Sequence, residues 1–160
     1  MPEQIVAAQG ATAQPCRLMV IDDDRIQRTI IAKVAAQVGF DVVPAATFDD
    51  AARLLEAGRF DCITLDLSLG ENNGTPLLRK VRDSDPRTPV IVISGAARHV
   101  LEATVTIANS LGLDSLPLAK PLNLADLRRA LTQKRQNATS PRTPAQASQP
   151  ASAPADASAP

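Results

Sequence analysis

The sequence predicts an α/β domain: a doubly wound, five-stranded parallel sheet, (βα)5, with strand order 2-1-3-4-5. Three observations predict it. Short apolar runs alternate with segments whose apolar residues recur at helical spacing. The central runs are continuous and rich in β-branched residues, as in strands covered on both faces. Prolines fall inside only the second and fifth runs, and a residue without an N–H for the ladder belongs at a sheet edge.

The elements follow in order. The first strand is Leu18-Met19-Val20-Ile21, and Ile26, Ile30 and Val34 then mark one stripe of a helix from Arg25 to about Gln37. The second strand, residues 41–45, contains Pro44. Thr47 and Asp50 form a start resembling a capping box for the next helix, which carries Phe48, Ala51, Ala52 and Leu55 and ends near Gly58. Ile63-Thr64-Leu65 is the third strand, and Leu77, Leu78 and Val81 mark a short third helix.

Val90-Ile91-Val92-Ile93 is the fourth strand, followed by a helix from about Arg98 to Leu111 with Gly112 after it. In that helix Val100, Ala103, Thr104, Ile107 and Leu111 share a side and are expected to face the sheet. Leu101, Val105 and Ala108 would then form an exposed apolar flank. The fifth strand, residues 115–118, contains Pro117. Asn123 is placed to cap a last helix carrying Leu124, Leu127 and Leu131. The basic residues Arg128, Arg129, Lys134 and Arg135 read as its solvated face.

Composition sets the limits of this domain. With 160 residues, one domain is expected, over residues 16–136. Residues 1–15 are mostly small and polar and read as a flexible segment. Residues 137–160 hold eight Ala, five Pro and four Ser but no Leu, Ile, Val, Met or Phe, so they read as a disordered tail with nothing to offset the entropy of ordering.

Seventeen basic and seventeen acidic side chains give zero net charge, and the only aromatics are three Phe, so no nucleic-acid partner is expected. No apolar run is long enough for a membrane helix and no signal peptide is visible, which predicts a cytoplasmic protein without a membrane partner. Cys16 and Cys62 are too few for a disulfide framework or a zinc site and read as buried small hydrophobes.

In a doubly wound sheet the site lies outside the carboxyl ends of the strands, where the strand order reverses. The first strand ends in Asp22-Asp23-Asp24, the third in Asp66, the fourth in Ser94-Gly95, and the fifth in Lys120-Pro121. Carboxylates, a hydroxyl and an ammonium would converge there. Two carboxylates ~4 Å apart repel by roughly 4 kcal/mol at an effective dielectric of 20, so such a cluster calls for a cation. Mg2+, which takes oxygen ligands and phosphate oxygens, is the natural one. A carboxylate nucleophile, a metal and phosphoryl-binding donors are the equipment for phosphoryl transfer to an aspartate.

These stretches, with Phe60-Asp61-Cys62-Ile63-Thr64-Leu65-Asp66-Leu67, Thr88-Pro89 before the fourth strand, Leu118-Ala119-Lys120-Pro121-Leu122, and Gly74 eight residues after Asp66, resemble the response-regulator receiver domain. Its CheY-like members have the flavodoxin-like fold, and the resemblance covers residues 16 to 135. It implies that Asp66 is the phosphoacceptor, and that Asp22, Asp23, Asp66 and the backbone carbonyl of Ser68 hold Mg2+. It further implies that Ser94 and Lys120 contact the phosphoryl oxygens and that the Lys120-Pro121 bond is cis. The implied donor is a histidine kinase or histidine phosphotransfer protein.

The sequence departs from the family at two places. Gly70 stands where the family often has proline, four residues after the acceptor. The fifth strand lacks the family's aromatic switch residue, reads Ser115-Leu116-Pro117-Leu118, and is similar to receivers linked to cyclic-di-GMP phosphodiesterases.

A stand-alone regulator, not an enzyme, is therefore expected. It would signal by protein contact, or by a phosphorylation-dependent dimer, through a face formed by the fourth helix, fifth strand and fifth helix. Two alternatives stand beside it. One is an interaction module that works without phosphorylation, favoured by the missing aromatic. The other is a small phosphatase of the haloacid dehalogenase type, suggested by the Asp-x-Asp of Asp22 and Asp24 but leaving Asp66 unused and only Asp126 after the lysine. His99, the sole histidine, is expected on the surface.

Overall fold

The computed structural model describes residues 15–70 and 72–139. The chain runs β1 (Cys16–Ile21), α1 (Arg25–Val38), β2 (Phe40–Ala45), α2 (Phe48–Ala57), β3 (Cys62–Asp66), β4 (Ser68–Leu69) and β5 (Asn72–Asn73). It continues with α3 (Leu77–Ser84), β6 (Val90–Ser94), α4 (Arg98–Ser110), β7 (Ser115–Ala119) and α5 (Leu124–Thr139).

The main sheet is wholly parallel, in the order β2-β1-β3-β6-β7, which is the expected doubly wound order with β6 and β7 as its fourth and fifth strands. Pro44 and Pro117 lie on the two edge strands, opposite Val20 and Val92. The missing N–H of each therefore costs the interior ladder nothing.

Alternation along the central strands sends side chains to two cores. Met19, Ile21, Ile63, Leu65, Val90 and Val92 pack on one face with Leu55, Leu77, Leu78 and Leu101. Leu18, Val20, Cys62, Ile91 and Ile93 pack on the other with Ile31, Val34, Leu127 and Leu131. With apolar layers on both faces, the carboxylates of the central strands stand at their carboxyl ends.

The caps fall where the sequence places them. The Thr47 hydroxyl accepts from the Asp50 amide at 3.1 Å. The Asn123 side chain accepts from the Ala125 and Asp126 amides at 2.9 and 3.2 Å.

Five details differ from expectation. First, Ile26 is 70% exposed, and α1 buries Ile31, Val34 and Ala35, so that of the expected stripe only Val34 is fully in the core. A spacing of four drifts by about 40° per step, so the stripe leaves the core within two turns.

Second, α4 is turned about its axis. Thr104 is buried as expected, but so are Leu101 and Ala108, whereas Val100 and Ile107 are 41% and 42% exposed. The bulky Leu101 fills the core, and the small Ala108 lets the helix sit close to the sheet. The exposed apolar flank is thus Val100 and Ile107, not Leu101, Val105 and Ala108.

Third, Asn72 and Asn73 form a strand that pairs with Leu69 and Ser68 around Gly70, whose φ is +58°. Fourth, α5 continues through Thr139, three residues past the boundary drawn from composition, and Ala138 packs against the α1/α5 core. Fifth, Lys134 is not solvated: it is buried and ion-paired with Asp114 at 2.6 Å.

Cys16 and Cys62 are both buried free thiols, and burial pushes the Cys62 thiol up to about 12. The rest of the expected tail, residues 140–160, and the expected flexible segment as far as residue 14 lie outside the described residues.

Candidate functional site

The carboxyl ends of β1 and β3 bring three carboxylates together. One oxygen each from Asp22, Asp23 and Asp66 lies within 4.8 Å of the others. The run Asp22-Asp23-Asp24 divides three tasks among identical side chains. Asp22 extends β1, its amide donating to the Ala45 carbonyl at 3.1 Å, and the residue is only 1% exposed. The Asp22 Oδ1 accepts from the Asp24 amide at 2.8 Å, while the buried Oδ2 has no partner.

Asp24 turns outward and caps α1, accepting from the Ile26 and Gln27 amides at 2.8 and 3.3 Å. From the second turn of that helix Arg28 reaches back, and its Nη1 donates to the Asp22 carbonyl at 2.7 Å. Asp23 is exposed, and its Oδ2 accepts from the Gly70 amide at 2.9 Å.

Asp66 is the last residue of β3 and is buried. Both of its oxygens are held. The Ser68 amide donates to Oδ1 at 2.9 Å, and the Lys120 ammonium donates to Oδ2 at 2.7 Å. The loop beyond it can close this tightly because residue 74 is glycine: a Cβ there would lie 2.8 Å from the Asp66 carbonyl oxygen.

Lys120 follows β7, its amide donating to the Ser94 carbonyl at 2.9 Å, and the Lys120-Pro121 bond is cis. Ser94 ends β6 fully buried, and its Oγ accepts from the Ala96 amide at 3.0 Å. Ser68 begins the β4–β5 hairpin directly after Asp66 and Leu67. All six predicted site residues therefore stand on the one sheet edge. His99 is exposed on the first turn of α4, and Asp126 is exposed on α5, paired with Arg129 at 3.4 Å.

Electrostatics set the demand for a cation. Burial, followed by the charge of Asp66, pushes the Asp22 carboxyl up from 3.8 to about 6, against the opposing pull of the Asp24 amide and Lys120. Partial burial acts to lower Lys120, but the hydrogen bond and charge of Asp66 outweigh it and raise the ammonium above 10.5. One ammonium thus faces three acids. A buried carboxylate oxygen without a donor, within a trio of carboxylates, fits a hard divalent ion that binds through oxygen and keeps several waters.

Against known proteins, the model of the response regulator receiver domain matches residues 18–132. The chain belongs to the response-regulator receiver family. A protein-glutamate methylesterase/protein-glutamine glutaminase 2 of Anaeromyxobacter dehalogenans is 35% identical over 116 residues, 71% of this chain and 33% of that protein. The autoinducer 1 sensor kinase/phosphatase LuxN of Vibrio campbellii is 26% identical over 71% of this chain and 13% of its own. The chain thus spans a third or less of these relatives.

Among solved structures, a Burkholderia pseudomallei response regulator is 32% identical, with a TM-score of 0.64 over 76% of this chain and 70% of that one. That crystal structure contains a phosphorylated aspartic acid, a calcium ion and citrate. A CheY-like receiver domain from Methanospirillum hungatei is 25% identical, with a TM-score of 0.64 over 77% of this chain and 98% of that one. As a receiver, the chain departs from its family where the sequence indicates. Gly70 uses the N–H that a proline would lack, and β7 carries Leu, Pro and Leu with no aromatic.

Sequence reasoning missed three features of the receiver site. The cap role of Asp24 carried a signal, an acid just before a helix. The reach of Arg28 to a backbone carbonyl, and of the Gly70 amide to Asp23, joins residues through the fold and left no local signal.

Proposed function

We propose that the protein is a response regulator that accepts a phosphoryl group on Asp66 from a histidine kinase or histidine phosphotransfer protein. The observation that carries this reading is the Asp66 carboxylate, held at one oxygen by the Ser68 amide and at the other by Lys120, beside Asp22 and Asp23. A carboxylate oxygen of Asp66 attacks phosphorus, the phosphorus–nitrogen bond of a phosphohistidine breaks, and its electron pair returns to the imidazole.

Asp22, Asp23, Asp66 and the Ser68 carbonyl would hold Mg2+, which when bound neutralises charge on the phosphoryl oxygens. Lys120 lies within reach of a group on Asp66 and would pair with it. Ser94 would exchange its bond with the Ala96 amide for one to a phosphoryl oxygen, and so move the β6–α4 loop. Gly95, Ala96 and Ala97 are small and exposed, and leave that loop free to follow.

The signal would leave through the face of α4, β7 and α5, where Val100, Ile107 and Leu124 are exposed and Pro117 lies on the edge. Its receiver there is a protein target or a second phosphorylated copy. The proposed site of action is the cytoplasm. No helix among the described residues is long and apolar enough to cross a membrane.

The absence of an aromatic from β7 favours a second reading, a module that binds partners whether or not it is phosphorylated. The phosphatase alternative loses its remaining acid, because Asp126 is engaged with Arg129 on α5 and is not part of the carboxylate trio. Incubation with Mg2+ and acetyl phosphate, read by intact mass, tests the proposal. One added phosphoryl group that disappears with EDTA is the expected result. An unmodified protein would favour the second reading, and steady hydrolysis of a generic phosphate ester would revive the third.

A further inference from the structure

The β4–β5 hairpin grips two of the three carboxylates. Its Ser68 amide holds Asp66 Oδ1 and, two residues on, its Gly70 amide holds Asp23 Oδ2, each at 2.9 Å. The second bond spans 47 residues of sequence and is the contact that fixes Asp23, an exposed side chain next to two like charges. Without it, repulsion from Asp22 and Asp66 would turn the Asp23 carboxylate toward solvent.

The bond depends on two properties of residue 70. It must have an N–H, and it must adopt a φ of +58° at the hairpin tip. Proline, frequent in the family at this position, has neither. Space is not the constraint, since a Cβ at Gly70 would meet nothing within 4 Å.

We infer that Gly70 is a positioning residue of the metal site: its amide, acting through Asp23, sets that carboxylate in place for the cation. A carboxylate has lone pairs enough to keep the Gly70 amide on one oxygen and offer a cation the rest. The hairpin therefore pre-orders the ligand and does not compete for it. The inference rests on the proposed phosphoacceptor function, and the test separates the two.

Mg2+ binding is measured by calorimetry on the full chain, without phosphodonor, for wild type, Gly70→Pro and Gly70→Asn. Asparagine keeps the N–H and tolerates the left-handed conformation. Gly70→Pro is expected to weaken Mg2+ binding between about threefold and tenfold, the range for the net loss of one ordinary hydrogen bond. Gly70→Asn is expected to stay within about twofold of wild type. With acetyl phosphate, the half-saturating Mg2+ concentration of Gly70→Pro should rise by the larger factor than its saturating rate falls.

Gly70→Pro that binds Mg2+ like wild type would overturn the inference and leave the proposed function standing. Wild type that binds no Mg2+ would overturn both. If Gly70→Pro loses its native circular dichroism, amide exchange decides: the Gly70 amide of the metal-free protein should exchange faster in Asp23→Ala than in wild type. Equal rates would overturn the inference.

Discussion

Replacing Asp22 by asparagine should stabilise the metal-free protein at neutral pH while abolishing its response to Mg2+. The substituted side chain keeps an oxygen for the Asp24 amide, which now ends on Asp22 Oδ1 at 2.8 Å. It also offers an N–H2 to Asp66 where two carboxylates otherwise repel. The wild-type carboxyl is raised from 3.8 to about 6 by burial and by Asp66. A raised folded-state value means that the folded protein holds the proton more tightly than the unfolded chain. The contribution of Asp22 is therefore fully present below pH 3.8 and is lost as pH rises through about 6.

A shift of roughly two units corresponds to about 3 kcal/mol at pH 7, an upper figure because Asp22 and Asp66 titrate as a pair. The expected gain for Asp22→Asn is about 1–3 kcal/mol in EDTA at pH 7.5, shrinking at pH 5. Urea unfolding curves of both proteins at the two pH values give the difference directly. Adding Mg2+ should then raise wild-type stability by mass action and leave the variant unmoved. A variant less stable than wild type at pH 7.5 without metal, or a gap of the same size at both pH values, would refute the electrostatic account of the site.

Further outcomes are expected. Mg2+ affinity should fall as pH drops from 7 to 5, by up to about tenfold, because the cation displaces a proton from Asp22; a flat calorimetric profile would count against that. Leu101→Ala should cost about 2–4 kcal/mol and Ile107→Ala about 0.5 kcal/mol or less, in chemical denaturation; the reverse ranking would restore the helix orientation drawn from sequence. Truncation after Thr139 should leave the melting temperature unchanged, whereas truncation after Gln136 removes the packed Ala138 and should lower it by a few degrees. Beryllofluoride should change amide exchange in residues 96–111 more than in α1; equal changes would contradict an exit through α4.

Much of this was legible in the sequence because few physical rules generate it. Two prolines located the edge strands, and the continuous apolar runs of the three central strands marked them as covered on both faces. Once the strand order was in hand, reading the last residue of each strand was enough to assemble Asp22, Asp66, Ser94 and Lys120. What the sequence did not carry were quantities set by the fold in three dimensions. The rotation of α4 depends on how close Ala108 lets it approach the sheet, and helical spacing alone permits either flank. Lys134 looked solvated because its partner, Asp114, comes from a loop 20 residues earlier. Gly70 read as a mere absence of proline until its amide was seen on Asp23.

The central claim is that Asp66 is the group that becomes phosphorylated. Intact mass spectra of wild type and Asp66→Asn, each incubated with Mg2+ and acetyl phosphate, test it most directly. Asparagine keeps an oxygen for the Ser68 amide or for Lys120 but has no carboxylate to form the acyl phosphate, so the fold should be preserved while the chemistry is removed. Wild type is expected to gain one phosphoryl group and Asp66→Asn none, with matching circular dichroism. Full modification of Asp66→Asn, or a wild type that never gains the mass, would contradict the assignment.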